Sequence, residues 1–153
     1  MQQGSALKAL NIIHKALMTG QILFAAVCIY LTYTKTIDSP AKDLDRVLQV
    51  AALVITAAGI FAGMSFFKKK LLHLRGMQTS TKEKFNQYRS ACIVQWALLE
   101  GPSIFCIICF FLTGNYAFLA LMVVVLFLFA VTAPSKLKVQ LQLQISEAEL
   151  DEL

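Results

Sequence analysis

Four long apolar runs divide this chain and constrain its fold more than any other feature. They extend over about residues 12–33, 47–67, 90–112 and 116–133. Each is close to the ~20 residues that a helix needs to cross a hydrocarbon layer about 30 Å thick. The runs are continuous and lack the alternation of a barrel strand, so helices are the expected spanning form. The sequence predicts an all-α, polytopic membrane four-helix bundle.

The amino-acid composition also indicates a membrane protein. Of the 153 residues, 58% are hydrophobic and only 15% are charged, which is too apolar for a water-soluble domain of this size. The formal charge of +5 is expected in loops beside the spans, so we predict the lipid bilayer, and not nucleic acid, as the surroundings. Residues 1–15 lack the features of a cleavable signal peptide, and the first span is expected to be retained.

Basic residues predict the orientation, because Lys and Arg beside spans mark the cytoplasmic side. The sequence places 11 of 14 on one side: Lys8, Lys15, Lys68, Lys69, Lys70, Arg75, Lys82, Lys84, Arg89, Lys136 and Lys138. The other three, Lys35, Lys42 and Arg46, lie in the first outer loop among Asp38, Asp43 and Asp45. We therefore expect one membrane domain over residues 1–153, with a cytoplasmic linker 68–89, a cytoplasmic tail 134–153 and both termini cytoplasmic.

The first and third spans show an internal repeat at a shift of 81 residues. Seven of seventeen positions match: Ala16, Leu17, Gly20, Phe24, Cys28, Leu31 and Thr32 meet Ala97, Leu98, Gly101, Phe105, Cys109, Leu112 and Thr113. At a shift of 66, Ser80-Thr81-Lys82-Glu83 meets Ser146-Glu147-Ala148-Glu149, and each is typical of a helix-opening capping box. We predict a duplicated two-helix hairpin, with units 7–83 and 88–149 related by a pseudo-two-fold along the membrane normal. Chance similarity between two apolar helices is the alternative.

Glu100 is the only acidic residue inside a predicted span, where a carboxyl is costly unless it is neutral or paired. The repeat places Thr19 opposite it, and Gln21 matches Pro102, so Glu100, Thr19 and Gln21 are candidates for one buried hydrogen-bonded cluster. Pro102 cannot donate to the Leu98 carbonyl, which predicts a kink and a freed carbonyl beside the carboxyl. Two interpretations stay open: a structural tie between helices, or a site for protons or cations.

Small residues predict where helices approach closely. Gly59 and Gly63 lie in an alanine-rich surface of the second span, and the repeat matches Gly20 with Gly101. Such residues permit close contact between membrane helices. We predict packing roles for all four glycines.

Cys106 and Cys109 form a C-x-x-C motif, and the repeat brings Cys28 towards Cys109. The arrangement resembles four-helix thiol oxidoreductases that pass electrons to quinones, but those also need cysteines in an outer loop, and this chain has none there. We expect the cysteines to pack as small apolar residues, with no metal and no cofactor. His14 and His73 fall near the cytoplasmic side and are predicted to be solvated or interfacial. In the tail, Val139, Leu141, Leu143 and Ile145 alternate with glutamines, which predicts an extended docking segment.

The segment Ala97-Leu98-Leu99-Glu100-Gly101-Pro102-Ser103-Ile104-Phe105, followed by Leu112-Thr113-Gly114-Asn115, resembles a signature of small four-span bacterial inner-membrane proteins. The resemblance implies a bacterial inner membrane and an accessory role, without an established activity. The Ala-Leu-x-Glu part is also similar to the carboxylate helix of rotary-ATPase proteolipid subunits, which would make Glu100 an ion carrier.

The leading functional prediction is a non-enzymatic integral inner-membrane protein. It would be an accessory or structural subunit, associated with a protein partner or with further copies of itself in the membrane. One alternative is a proteolipid-like subunit that translocates protons or cations through Glu100. Another is a thiol-quinone oxidoreductase that uses Cys106 and Cys109.

Overall fold

A computed structural model describes residues 5–34, 42–146 and 148–149. These residues form five α-helices and no strand: α1 Ser5–Tyr33, α2 Asp45–Gly76, α3 Thr81–Thr113, α4 Ala117–Val131 and α5 Lys136–Leu143, with a short 3-10 helix, Lys42–Leu44, before α2. The predicted all-α class is therefore confirmed. Lys35 and Asp38 of the first loop, Glu147 and the last four residues lie outside the described part.

Three of the described helices are long and apolar enough to cross a membrane: Ala6–Tyr33, Asp45–Gly76 and Thr81–Thr113. α4 alone has 15 residues, or about 22 Å at 1.5 Å per residue, which is short of a ~30 Å hydrocarbon layer. α4 and α5 meet at a bend of 74° and make a fourth candidate span if the bent pair crosses together. The described part of the chain thus has three to four helices of spanning length, as a multi-pass membrane protein requires.

The bend follows from the sequence between α4 and α5. Pro134 cannot donate a backbone hydrogen bond, and it disfavours helical geometry in the residue before it. Ser135 then caps α5, because its hydroxyl accepts a hydrogen bond from the Lys138 backbone N–H at 3.3 Å. One helix therefore ends and a new one starts in another direction.

α3 is the central helix, with α2 and α4 packed along it and α1 packed mainly against it. Two buried clusters hold the helices together. The first, here the basic-end cluster, contains Leu10, Leu74, Phe85, Tyr88, Cys92, Trp96, Leu99, Val125, Phe129, Val139 and Leu143. The second, the far-end cluster, contains Ala25, Cys28, Ala52, Cys106, Ile107, Cys109, Phe110, Phe118 and Met122.

The basic-end cluster joins the start of α1, the end of α2, the start of α3, the end of α4 and α5. These segments carry the basic residues that the sequence assigns to one side. We call this end of the bundle the basic end. The helix directions therefore gather those charges at one end.

α1 and α3 show similar patterns of burial at the positions that the repeat matches. The pairs His14/Gln95, Gln21/Pro102, Ala25/Cys106 and Cys28/Cys109 are buried in both helices. The Thr32 and Thr113 hydroxyls each donate to the carbonyl four residues earlier, both at 2.8 Å. Packing differs, however, because α4 runs closely along α3 while α1 makes few contacts with α2. Duplication therefore stays a prediction, and the described helices do not form two alike hairpins.

Both predicted capping boxes have hydrogen bonds. Ser80 accepts from the Glu83 N–H at 3.4 Å. Ser146 accepts from the Glu149 N–H at 3.3 Å, and the Glu149 carboxylate accepts from the Ser146 N–H at 2.7 Å. In the capping box of Ser146 and Glu149, each side chain thus accepts a hydrogen bond from the backbone N–H of the other residue.

The tail prediction was wrong, because residues 136–143 form α5 and not an extended segment. Val139 and Leu143 are buried, while Leu137 and Leu141 are exposed. Alternating apolar residues also lie four apart, which places Val139 and Leu143 on one helix face. Leu, Lys and Gln are good helix formers, and with the Ser135 cap they favour the helix.

Candidate functional site

Polar side chains from three helices lie between the two apolar clusters: Gln21 of α1, Thr56 of α2 and Ser103 of α3. All three are buried. We call them the polar layer. It crosses the bundle where the basic-end cluster gives way to the far-end cluster.

The spacing of buried residues along α1 and α3 places this layer. On α3, Ser103 follows Leu99 of the basic-end cluster by four residues and precedes Cys106 of the far-end cluster by three. On α1, Gln21 precedes Ala25 of the far-end cluster by four. Residues three or four apart share a helix face, so both polar side chains belong to the buried stripes of their helices.

Most polar atoms of the layer lack partners within the described residues. Gln21 is 1% exposed and Ser103 is fully buried, yet the Gln21 amide and the Ser103 hydroxyl make no hydrogen bond to any described residue. The Thr56 hydroxyl lies 3.7 Å from the Cys106 sulfur. A buried polar group without a partner costs about 1–3 kcal/mol. The Gln21 amide and the Ser103 hydroxyl are therefore candidate binding groups for a ligand or for a polar side chain of another protein.

Glu100 lies beside this layer and is half-buried. It follows Trp96 by four residues and precedes Ser103 by three, so the three side chains are neighbours on the surface of α3. The Trp96 indole N–H is also buried and has no hydrogen-bond partner among the described residues. Within the described residues the Glu100 carboxyl makes no hydrogen bond and no ion pair.

The predicted cluster of Glu100, Thr19 and Gln21 does not form in the described structure. Thr19 is exposed, and the Gln21 amide has no partner. Residues 19 and 21 are two positions apart, which rotates their side chains by about 200° around the helix. They cannot both face α3, so this prediction was wrong.

Pro102 lies where α2 and α3 approach each other closely. A Cβ added at Gly59 would overlap the Pro102 ring and lie 2.8 Å from the Leu98 carbonyl oxygen. One turn along α2, a Cβ at Gly63 would lie 3.4 Å from the Gln95 carbonyl oxygen. The carbonyl freed by the proline is therefore covered by the Gly59 backbone.

Gly20 and Gly101 behave differently from the α2 glycines. A Cβ at either would meet no atom within 4 Å. They lie on exposed surfaces of α1 and α3. Among the described residues neither marks a close contact with another helix of this chain, so the packing role predicted for them stays a prediction.

The cysteines are buried and free. Cys28, Cys106 and Cys109 belong to the far-end cluster, and Cys92 belongs to the basic-end cluster. The repeat thus brings Cys28 and Cys109 into one cluster. The described residues contain no group of three His, Cys, Asp or Glu side chains that could hold a metal ion.

His14 is buried, although the sequence predicts a solvated or interfacial position. Its Nε2–H donates to the Phe129 carbonyl at 3.0 Å, and its ring stacks on the Phe129 ring with centroids 4.6 Å apart. The Trp96 ring meets it edge-on at 4.8 Å. His14 follows buried Leu10 by four residues, a spacing that could have revealed the buried face. His73, in contrast, is exposed.

Sequence reasoning also missed a polar link at the far end of the bundle. The Asn115 side-chain amide donates to both Asp45 carboxylate oxygens, at 3.0 and 2.9 Å. The side-chain oxygen of Asn115 accepts a hydrogen bond from the Ala117 N–H at 2.9 Å and so caps the start of α4. Asn115 therefore ties the turn between α3 and α4 to the start of α2.

Comparison with known proteins does not connect the chain to a family. No family model matches it, and no curated protein or solved structure matches it.

Proposed function

We propose that this chain is a non-enzymatic accessory or structural subunit of a membrane assembly. The observation that carries the proposal is the Glu100 carboxyl, half-buried in α3 without a hydrogen-bond or ionic partner among the described residues. The partner is another membrane protein or a second copy of this chain. It supplies a donor to Glu100 from its own transmembrane helix.

The cost of a carboxyl in hydrocarbon supports this proposal. Lipid chains offer no hydrogen bonds, so polar groups at that depth are expensive unless another protein group satisfies them. Glu100 is only half-buried, so a neighbouring helix can reach it. Thr19 is exposed on α1 and offers a second polar group to a neighbouring helix of the partner.

For its location, we propose the inner membrane of a bacterium, with the basic end and both termini in the cytoplasm. The charge distribution supports this orientation, because basic residues beside membrane spans are retained on the cytoplasmic side. The basic end contains the linker between α2 and α3 together with α5.

Gentle detergent purification followed by mass spectrometry tests the proposal. The unchanged protein is expected to retain a stoichiometric partner or a defined homo-oligomer. Glu100→Gln keeps shape and hydrogen-bonding capacity and should retain the assembly. Glu100→Leu should weaken it by roughly 1–2 kcal/mol.

Asp43→Asn is the matched control, since Asp43 is an exposed carboxyl before α2 and outside the spans. It should leave the assembly unchanged. A monodisperse species that contains one copy of this chain alone would contradict the proposal. So would equal stability of the assembly in the Glu100→Leu protein.

We propose proton or cation handling at Glu100 as the second candidate, favoured by the buried Ser103 hydroxyl beside it, which has no partner among the described residues and whose oxygen can accept. In that case Glu100→Gln and Glu100→Leu both abolish ion flux in reconstituted vesicles. Carbodiimide should modify Glu100, and the transported cation should protect it. Retained flux in Glu100→Gln would exclude this candidate.

A further inference from the structure

A second set of polar groups surrounds a cavity at the basic end. The cavity has a volume of about 170 Å³ and lies between α2, α3, the end of α4 and α5. Its polar lining consists of Tyr88, Gln95, Thr132, Lys138 and Gln142. Ligand pockets for drug-sized molecules usually measure roughly 300–1,000 Å³. This cavity therefore suits a small polar group.

Lys138 is the only charged residue in the described lining, and no carboxylate faces the cavity there. The Lys138 ammonium donates to the carbonyls of Val131 at 2.9 Å and Ala133 at 3.4 Å. These carbonyls belong to the end of α4 and carry only partial negative charge. The positive charge is thus held in place but not neutralised.

The other polar groups leave hydrogen-bond donors for a ligand. An ammonium has three N–H donors, so two carbonyl bonds leave one free. The Tyr88 hydroxyl donates to the Gln142 Oε1 at 2.7 Å, which occupies the acceptor of that amide and leaves its NH₂ group. The cavity therefore offers a cation and amide donors, a combination that favours an anion.

A further cation lies next to the same wall. The Arg75 guanidinium of α2 donates to the Gln142 carbonyl at 2.8 Å and to the Leu141 carbonyl at 3.4 Å. It fixes the end of α5 against α2 and adds positive charge beside Gln142. Held at both ends, by Lys138 and by Arg75, α5 closes the cavity as a positioned helix.

We propose that this cavity binds a phosphate-bearing anion through the Lys138 ammonium and the Gln142 amide. The phosphate belongs either to the headgroup of an anionic phospholipid or to free phosphate, which share the same charge and acceptor oxygens. Basic pockets between membrane helices at the cytoplasmic side are suited to anionic headgroups. Bound phosphate would neutralise the Lys138 charge and strengthen the contact between α5 and the bundle.

The test uses the full chain in two arms. In one, the protein is placed in phosphatidylcholine nanodiscs with and without phosphatidylglycerol, and co-purifying lipid is measured by native mass spectrometry. In the other, inorganic phosphate is titrated into protein in neutral detergent, and the thermal unfolding midpoint is recorded. Lys138→Gln is expected to weaken binding by about tenfold, as loss of a charge-assisted hydrogen bond predicts.

Lys136→Gln is the matched control, because it removes the same charge from α5 at an exposed position that does not line the cavity. It should change binding by less than about twofold. Val131→Phe is the second variant. It adds bulk at a residue that lines the cavity and keeps the backbone carbonyl that Lys138 contacts, so it should also weaken binding.

Phosphatidylglycerol retention that depends on Lys138 supports the headgroup as the source, and phosphate-dependent stabilisation with the same dependence supports free phosphate. Three results would overturn the proposal: no binding in either arm, equal retention of phosphatidylcholine and phosphatidylglycerol, or equal losses in Lys136→Gln and Lys138→Gln. If Lys138→Gln does not fold, Val131→Phe decides: unchanged affinity in that variant overturns the proposal.

Discussion

Gly59 of α2 lies against the ring of Pro102 in α3, so closely that a Cβ at Gly59 would overlap it. The proline leaves the Leu98 carbonyl without its helical hydrogen bond, and that carbonyl also faces Gly59. A glycine Cα–H can contact such an oxygen. The kink in one helix and the missing side chain in the other therefore fit each other.

Gly59→Val should destabilise the contact between α2 and α3 by about 1–3 kcal/mol, because the new side chain must displace the Pro102 ring or the helix. The measurement is the free energy of unfolding in mixed detergent micelles. Gly101→Ala is the control, since a Cβ there meets nothing. It should be neutral or slightly stabilising, because alanine favours the helix. Equal losses in both variants would contradict the close contact.

His14→Leu should lower stability by about 1 kcal/mol, because the Phe129 carbonyl loses the hydrogen bond from His14 while the site keeps most of its volume. The thermal unfolding midpoint in one detergent measures the effect. His73→Leu, at an exposed position of α2, should change stability by less than about 0.5 kcal/mol. A His14→Leu protein as stable as the unchanged chain would show that this hydrogen bond has no net effect.

All four cysteines are expected to resist a maleimide in the native protein and to react after denaturation. Each is at most 5% exposed, so the reagent cannot reach the sulfur without local unfolding. Mass spectrometry counts the adducts. Rapid native labelling of Cys106 or Cys109 would instead support the thiol-quinone alternative.

The orientation of the chain in the membrane can be tested with introduced cysteines, because the four native cysteines are expected not to react with a maleimide. In intact cells, an impermeant maleimide should label Asp43→Cys from outside but reach Gln78→Cys only after the membrane is opened. Both positions are exposed, Asp43 before α2 and Gln78 between α2 and α3. The reverse labelling pattern would place the basic end outside.

Several features were predictable from the sequence because they depend on neighbours along the chain. A run of about twenty apolar residues predicts a helix wherever it packs, and the spans found in α1, α2 and α3 contain the predicted ones. Capping boxes are equally local, and the Ser146 and Glu149 hydrogen bonds confirm one of them. Charge distribution along the chain likewise identified which helix ends would carry the basic residues.

The candidate site was harder to predict, because it depends on which face of each helix meets another. Glu100 was identified by its charge alone, but its predicted partners were not, since Thr19 and Gln21 point in different directions around α1. His14 was predicted to be solvated or interfacial because it lies near the end of the first span, although its ring packs against Phe129. The residue types alone revealed neither the partners of Glu100 nor the burial of His14.

By itself, the sequence determined the helices α1 to α4, their approximate limits and the gathering of basic residues at one end, but not α5. Only the tertiary structure decided which glycines lie against another helix of the chain: a Cβ at Gly59 would overlap α3, whereas one at Gly20 would meet no described atom within 4 Å. It also decided that α1 packs on α3 with few contacts to α2, and that Lys138 faces a cavity. The physical reason is that apolarity and helix propensity act over a few neighbouring residues, whereas packing depends on side chains far apart in the chain fitting together.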